Sequence, residues 1–331
     1  MPKYLILRFS SIGDIVLTTP VIRCLKQQVS GAEVHFLTRK SFESVVSNNP
    51  YIDKLWLFEN SATEIAEQLK NEHYDGIIDL HHNARTQMLK WTLRRPSFSF
   101  RKLNLEKWLS VNLKINRLPD LHIVDRYLET VASLGVKNDG KGLDYFINKT
   151  DRNTQQRLPA SHREKFIAVA IGAQHATKRL PEEKLIRICN RLKYPVILLG
   201  GKSDVETGAN IARACGSNVL SLCGQLSLNE SAAVIESAEV LLTHDTGLMH
   251  IGAALRRPVV SVWGNTIPAF GMTPYYGTDK VDHTIFEVGG LSCRPCTKIG
   301  FAKCPKGHFK CMMDQDEKSI AECVMLFSEN N

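Results

Sequence analysis

The stretch EVLLTHDTGLMHIGAALRRPVVSVWG, residues 239–264, reads as strand, turn, helix and strand in immediate succession. EVLLTHD (239–245) and PVVSVWG (258–264) are short, unbroken apolar runs, and GLMHIGAALRR lies between them as a helix. Continuous apolar runs belong to strands buried on both faces, and a helix linking two of them argues for a parallel sheet.

Outward from this unit the pattern repeats. FIAVAIG (166–172), PVILLGG (195–201) and NVLSLCG (218–224) read as further strands, with PEEKLIRICNRL, DVETGANIARAC and SLNESAAVIESA as the helices between them. Nearer the start, YLILRF (4–9), VHFLT (34–38), DKLWLF (53–58) and DGIIDL (75–80) form a second series. Between its members, SATEIAEQLKNEH sets Ile65, Ala66 and Leu69 at helical spacing. The alternation blurs between residues 97 and 150. Two series predict an α/β protein of two Rossmann-like doubly wound domains, 1–155 and 156–331, with the boundary in the polar DRNTQQRLPASHREK. Ligands of such sheets bind beyond the carboxyl ends of the strands, which between two domains means the cleft.

Composition sets the class. The 331 residues are 43% hydrophobic and 23% charged, as in soluble globular proteins. No run approaches the roughly 18 uncharged apolar residues of a membrane span. The start, MPKYLILRFSSIGD, reads into a loop rather than a cleavage site, so the expectation is a cytoplasmic protein. A net charge of +8 suits either an anionic partner or a solvated basic surface. The bases are dispersed, with denser stretches at Arg85–Arg101 and Lys298–Lys310, and no nucleic-acid partner is expected.

Chemistry should then lie in the strand-to-helix turns: SSIGD (10–14), GAQHATK (172–178), GGKSD (200–204), HDTGLMH (244–250) and GNT (264–266). At Asp245-Thr246-Gly247 the open N–H groups and dipole of a helix start suit a diphosphate, while Asp245 or Thr246 equally suits a simple helix cap. His244 and His250 are ligand contacts or packed side chains. Neither G-x-G-x-x-G nor a P-loop is present, which disfavours standard dinucleotide and P-loop nucleotide binding. SSIGD has the small residues of a phosphate cradle, yet Asp14 would repel phosphate, and its local reading is a cap.

Three stretches in order, LRFSSIGDIVLTTPVIRCLK, GAQHATKRLPEEK and HDTGLMHIGAALRRPVVSVWGNT, resemble the signatures of glycosyltransferase family 9, the lipopolysaccharide heptosyltransferases. The resemblance runs from residue 4 to about 313 and is weak between 97 and 150. It implies a GT-B fold, acceptor in the N-terminal domain and ADP-heptose in the C-terminal one, with inverting transfer by direct displacement. It makes Asp14 the general base for the acceptor hydroxyl. Lys178 would meet the diphosphate or the reacting sugar, and Thr246, Gly247 and Leu248 would donate backbone N–H groups near His250. Asp245 would bond sugar hydroxyls or orient the turn; Asp204 would hold the ribose, with Glu206 as its rival. Leu180 stands where many members carry an aromatic residue.

On the acceptor side the resemblance implies Ser10 and Arg85, facing a Kdo-containing lipopolysaccharide core at the inner-membrane surface. Its carboxylates and phosphates suit Arg forks. Trp91 and Trp108 read as headgroup contacts or core residues, with the core favoured.

No catalytic metal is expected, because the single D-x-D pair, Asp314-Gln315-Asp316, reads as solvated or capping. Cys293, Cys296, Cys304 and Cys311, with His308 nearby, read either as a structural zinc site or as reduced thiols in a packed loop. The other cysteines, Cys24, Cys189, Cys215, Cys223 and Cys323, are scattered core or surface thiols. Two further readings stay open: a nucleotide-sugar 2-epimerase of similar architecture, and a non-enzymatic basic zinc protein contacting nucleic acid through residues 293–311.

Overall fold

A computed structural model describes residues 1–330. The chain forms two compact units, each assembled from separated segments. The first comprises Met1–Lys102, Leu121–Phe146 and Tyr276–Asp279; the second comprises Leu103–Asp120, Ile147–Tyr275 and Lys280–Asn331.

The first unit holds strands β1 (Lys3–Leu7), β2 (Glu33–Arg39), β3 (Lys54–Phe58), β4 (Gly76–Asp79) and β5 (Ser97–Ser99). They form one parallel sheet in the order β3-β2-β1-β4-β5. The apolar run expected at its centre is buried throughout, with Leu5, Ile6 and Leu7 fully out of solvent. Two helices follow β1 rather than one, Ile12–Val16 and Thr19–Gln28. Pro20 lies in the first turn of the second helix, where its missing N–H leaves no bond unmade. Arg23, buried on that helix, ion-pairs with Asp139 at 2.8 Å and with Asp144, fastening the segment 139–144 to it. Gly142 has φ +67°, and a side chain there would lie 2.6 Å from the Tyr276 carbonyl carbon. That close crossing brings 276–279 into this unit; the Thr278 N–H donates to Gly140 O at 2.7 Å.

The second unit holds β6 (Ile167–Ala170), β7 (Val196–Leu199), β8 (Val219–Ser221), β9 (Val240–His244), β10 (Val259–Trp263) and β11 (His283–Glu287). Its parallel order, β11-β10-β9-β6-β7-β8, is the doubly wound arrangement of dinucleotide-binding sheets. The helices Glu182–Cys189, Val205–Cys215, Leu228–Ser237 and Gly247–Ala254 fall where the sequence predicts them. Ser227 caps the third through the Glu230 N–H. A last helix, Glu317–Glu329, buries Ile320, Val324 and Phe327 in the core of this unit. Asp316 caps it by accepting the Lys318 and Ser319 N–H groups, so the D-x-D pair is a helix start, as expected. No helix among the described residues is long and apolar enough to cross a membrane.

Candidate active site

In each sheet the direction of winding reverses once, between β1 and β4 and between β6 and β9. Turns at such switch points open a crevice beyond the strand ends, where ligands of doubly wound sheets bind. Most of the expected site residues lie at these turns, one set in each unit; Asp204 follows β7, and the four cysteines lie in the segment after β11.

In the first unit, Arg8 leaves the end of β1 as a buried cation. Its Nε donates to Ser10 O at 2.8 Å, its Nη1 to Leu80 O and to the Tyr127 hydroxyl, and its Nη2 pairs with Asp14 Oδ1 at 2.7 Å. Burial works against the guanidinium charge, but Asp14, with Tyr127 and Asp79 behind it, outweighs that and raises the Arg8 pKa. Ser11 donates its hydroxyl (2.7 Å) and its N–H (3.3 Å) to Asp14 Oδ2. Asp14 therefore closes a capping box and also ion-pairs; its side chain is 22% exposed, so it meets solvent at the rim. Beyond β4, Asp79 fixes the next turn by accepting the N–H groups of His81 and His82, and Lys90 neutralises it at 3.0 Å. Burial, then the cations Arg8 and Lys102, push His81 down to about 4, so it is a neutral ring against Phe9.

Arg85 is exposed in the first turn of the helix Ala84–Leu93, which Asn83 caps at 3.0 Å, and Ser10 is half-buried with its carbonyl on Arg8. Trp91 on the same helix is 73% exposed, and Trp108, in the second unit, is 52% exposed. The expectation that they pack in the core is corrected: the helix buries Leu89 and Leu93 instead, and Trp91 lies off that face.

In the second unit, Lys178 stands at the end of the β6 turn with its side chain 16% exposed, not free in solvent. Its ammonium meets Asp245 Oδ2 at 2.6 Å and Asp245 O at 3.2 Å. Thr266 Oγ1, from the β10 turn, donates to the same carboxylate oxygen at 2.8 Å. With its carboxylate taken up by Lys178 and Thr266, Asp245 makes no cap, and Thr246 at the N-cap has no side-chain capping bond. The helix Gly247–Ala254 thus begins without a side-chain cap, and His250 is buried in its first turns. His244 is packed: its Nε2 accepts the Leu180 N–H at 3.0 Å, and burial, then Arg179, lowers its pKa to about 4. That bond also places Leu180, which is buried in the core of this unit.

Asp204 is buried and occupied. Arg179 Nη1 reaches it at 2.8 Å and the Gly201 N–H at 2.8 Å, and a side chain on Gly172 would collide with its Oδ2. Its rival Glu206 is exposed in the first turn of the next helix.

The Cys-rich segment braces these turns. Arg294 donates to the carbonyls of Gly264, Val288 and Thr266, and pairs with Glu287 at 2.9 Å. Thr177, next to Lys178, exchanges hydrogen bonds with the Phe301 backbone at 2.8 to 3.2 Å. Cys293 Sγ lies 3.9 Å from His308 Nε2, Cys296 Sγ donates to Cys293 O, and burial pushes the Cys311 thiol up to about 11. Among the described residues the convergent group of metal-ligand type is not this one but Glu33, His35 and Glu72. There the Lys3 ammonium pairs with both glutamates, at 3.4 and 2.7 Å.

Arg8, Ser11, Tyr127, Arg179, Thr266 and Arg294 were not singled out by sequence reasoning. One signal was available: Arg8 is a charge set inside the otherwise apolar run YLILRF.

The model of glycosyltransferase family 9 (heptosyltransferase) matches residues 62–301. A curated relative, lipopolysaccharide heptosyltransferase 1 of Campylobacter coli, is 23% identical over 291 residues, covering 80% of this chain and 84% of its own. A glycosyltransferase family 9 structure from Veillonella parvula superposes with a TM-score of 0.80 at 22% identity, covering 100% of this chain and 98% of that one. The E. coli heptosyltransferase WaaC with ADP superposes with a TM-score of 0.69 at 20% identity, covering 98% and 99%. At these identities the superpositions establish the two-unit α/β fold. The family match covers most of the chain and settles the class: this protein belongs to glycosyltransferase family 9, the heptosyltransferases.

Proposed function

We propose that this protein transfers heptose from ADP-heptose to a Kdo-containing lipopolysaccharide inner-core acceptor, with inversion, at the cytoplasmic face of the inner membrane. One observation carries the reading. A rim carboxylate, Asp14, is held by a buried cation at one switch point, and the ammonium of Lys178 lies beside an uncapped helix start at the other.

The acceptor hydroxyl oxygen attacks the anomeric carbon as the bond from that carbon to the diphosphate oxygen breaks. The hydroxyl proton passes to Asp14. Arg8 holds and aims that carboxylate through the 2.7 Å ion pair. The oxygen becomes strongly acidic once it bonds to carbon, so a carboxylate suffices as base. The electron pair of the broken bond leaves on ADP. Lys178 has three ammonium donors and gives two to Asp245, so the third is the one a diphosphate oxygen takes. Backbone N–H groups of Thr246, Gly247 and Leu248 add to it, and the helix dipole favours the same charge. On this reading Asp245 orients Lys178, Asp204 shapes the nucleotide side from below, and Ser10 and Arg85 lie toward the acceptor. His250 belongs to the donor pocket wall.

Adenine as the base draws support from the likeness to WaaC, which was solved with ADP. Calorimetric titration with ADP, UDP, GDP and dTDP, followed by mass spectrometry of a Kdo-lipid acceptor incubated with ADP-heptose, tests the reading. Preference for ADP and a heptose mass gain support it; preference for UDP without transfer overturns it and leaves the epimerase.

Cys293, Cys296, Cys304 and Cys311 carry a second, structural element of the proposal. Four soft donors in one loop match zinc by type. Among the described residues no three of them bring their ligand atoms within 4.8 Å of one another, so zinc would draw the loop inward. Metal content of the purified protein decides it: zinc well below one ion per chain leaves reduced thiols.

A further inference from the structure

Residues 104–118 belong to the second unit, where the helix Asn104–Trp108 widens into a second helical turn, Leu109–Leu113. Leu103 and Ser110 point inward, but Leu105, Trp108, Leu113 and Ile115 are all exposed. Such a density of large apolar side chains on so short an element exceeds the scattered exposure of ordinary surfaces. The element is nevertheless fastened. The Lys107 ammonium lies 5.4 Å from the Phe270 ring centroid, and Lys114 Nζ donates to Pro295 O at 2.7 Å and Cys293 O at 3.2 Å.

Those last bonds join it to the Cys-rich loop, across a cleft lined by Val111, Asn112, Ser292, Cys296, Pro305 and Lys306. The loop continues the same character, with Ile299 and Phe301 exposed. Lys298, Lys303, Lys306 and Lys310 are exposed in the loop, as is Arg117 in the first segment, and none has an ion-pair partner among the described residues. No Asp or Glu occurs from residue 107 to 119 or from 288 to 313.

We infer that residues 104–118 and the Cys-rich loop form a docking face for an anionic lipid bilayer. Trp and Leu flanked by bases suit the headgroup–acyl boundary, where the apolar side chains enter and the cations meet lipid phosphates. A second copy fits worse, because like charge would face like charge across the contact. A nucleic acid would engage the bases but leave the aliphatic side chains in water. The inference deepens the proposed membrane-held acceptor, and its test uses neither acceptor nor donor.

The full chain is sedimented with phosphatidylethanolamine vesicles, with and without phosphatidylglycerol. Binding is expected only with the anionic lipid, and to fall as salt rises. The double variant Trp108→Ser/Leu113→Ser should lose about tenfold or more of that partitioning. Its titration by ADP should match wild type, which shows that it is folded. The lipid-induced blue shift of tryptophan fluorescence should survive Trp91→Phe and vanish in Trp108→Phe. Equal partitioning of the double variant, absence of binding to anionic vesicles, or a blue shift that follows Trp91 overturns the inference. A dimer that the double variant dissociates would give the face to a second copy instead. Salt-dependent binding of single-stranded DNA without vesicle binding would give it to nucleic acid. Failure of wild type to bind ADP would sink the proposed function and leave the vesicle result standing.

Discussion

Arg8 Nη2 and Asp14 Oδ1 meet at 2.7 Å, the guanidinium buried and the carboxylate at the rim. The pair joins a structural cation to the proposed base, so the two roles of Asp14 separate by substitution. Asp14→Asn keeps the shape and removes the charge, and transfer should fall by about 10²–10⁴-fold. Asp14→Ala should abolish transfer with ADP binding nearly intact, at a stability cost of about 1–2 kcal/mol because the carboxylate is partly solvated. ADP titration of both variants checks this: collapse of nucleotide binding would make Asp14 a structural residue only.

Lys178 is the proposed counterpart on the donor side. Lys178→Met leaves Asp245 with Thr266 alone and removes the cation, and kcat should fall about 10²–10³-fold. Lys178→Arg should recover part of the loss, since charge is kept and geometry is not. Steady-state transfer kinetics with varied ADP-heptose provide the measurement. A Lys178→Met variant with wild-type kcat would remove Lys178 from the chemistry.

Arg294 should matter more than its place in a Cys-rich loop suggests. Four carbonyls, those of Trp263, Gly264, Thr266 and Val288, and Glu287 lose their donor in Arg294→Ala, and Thr266 is the residue that holds Asp245. The expected cost is about 2–4 kcal/mol of stability together with weaker ADP binding. Thermal melting and ADP titration report the two effects, and an unchanged ADP affinity would separate the loop from the site.

His244 predicts an acid limit. Burial first, then Arg179, lowers its pKa from 6.5 to about 4, so the folded protein holds the ring neutral while the unfolded chain takes up a proton below 6.5. Stability is therefore complete above about pH 6.5 and declines as pH falls toward 4, by up to about 1.4 kcal/mol per pH unit for this group. His81 adds a loss of the same sign over the same interval. Glu72, held at about 2 chiefly by the hydrogen bond from Lys3, and Asp139, which burial would raise but Arg23 holds at about 2, stabilise the fold at neutral pH and lose that contribution as pH falls below their ordinary values of 4.5 and 3.8. Melting temperatures from pH 7 to 4.5 should drop in wild type and less in His244→Gln, which keeps an acceptor for the Leu180 N–H. Equal slopes would clear His244 of this role.

The strands and helices that carry long apolar runs were legible in the sequence, because burial on both faces leaves a continuous signature. Of the four edge strands, β3 and β8 were read and β5 and β11 were not: β5 is three residues of Ser-Phe-Ser, and β11 is exposed at both ends. The last helix was also missed: Ile320, Val324 and Phe327 stand at helical spacing, but the stretch was read only for its D-x-D pair. Site legibility followed the same logic. Turns announced themselves through glycine and small polar residues, but the roles given to Asp14 and Lys178 came from the resemblance to glycosyltransferase family 9. The residues that brace these turns include distant ones: Tyr127 reaches Arg8 across 119 positions, and Phe301 reaches Thr177 across 124. Local periodicity holds no record of contacts at that separation.

The crossing of Gly140–Gly142 with Tyr276–Gly277 bears on biosynthesis. A chain emerging from the ribosome in sequence order would complete the first sheet by residue 99, yet the last segment of that unit arrives only at 276–279. The second unit waits longer, because its core includes Ile320, Val324 and Phe327. Neither half can finish as an independent translational product. A nascent or truncated chain ending before these segments exposes unfilled apolar surface in both halves, the condition in which chaperones and proteases act.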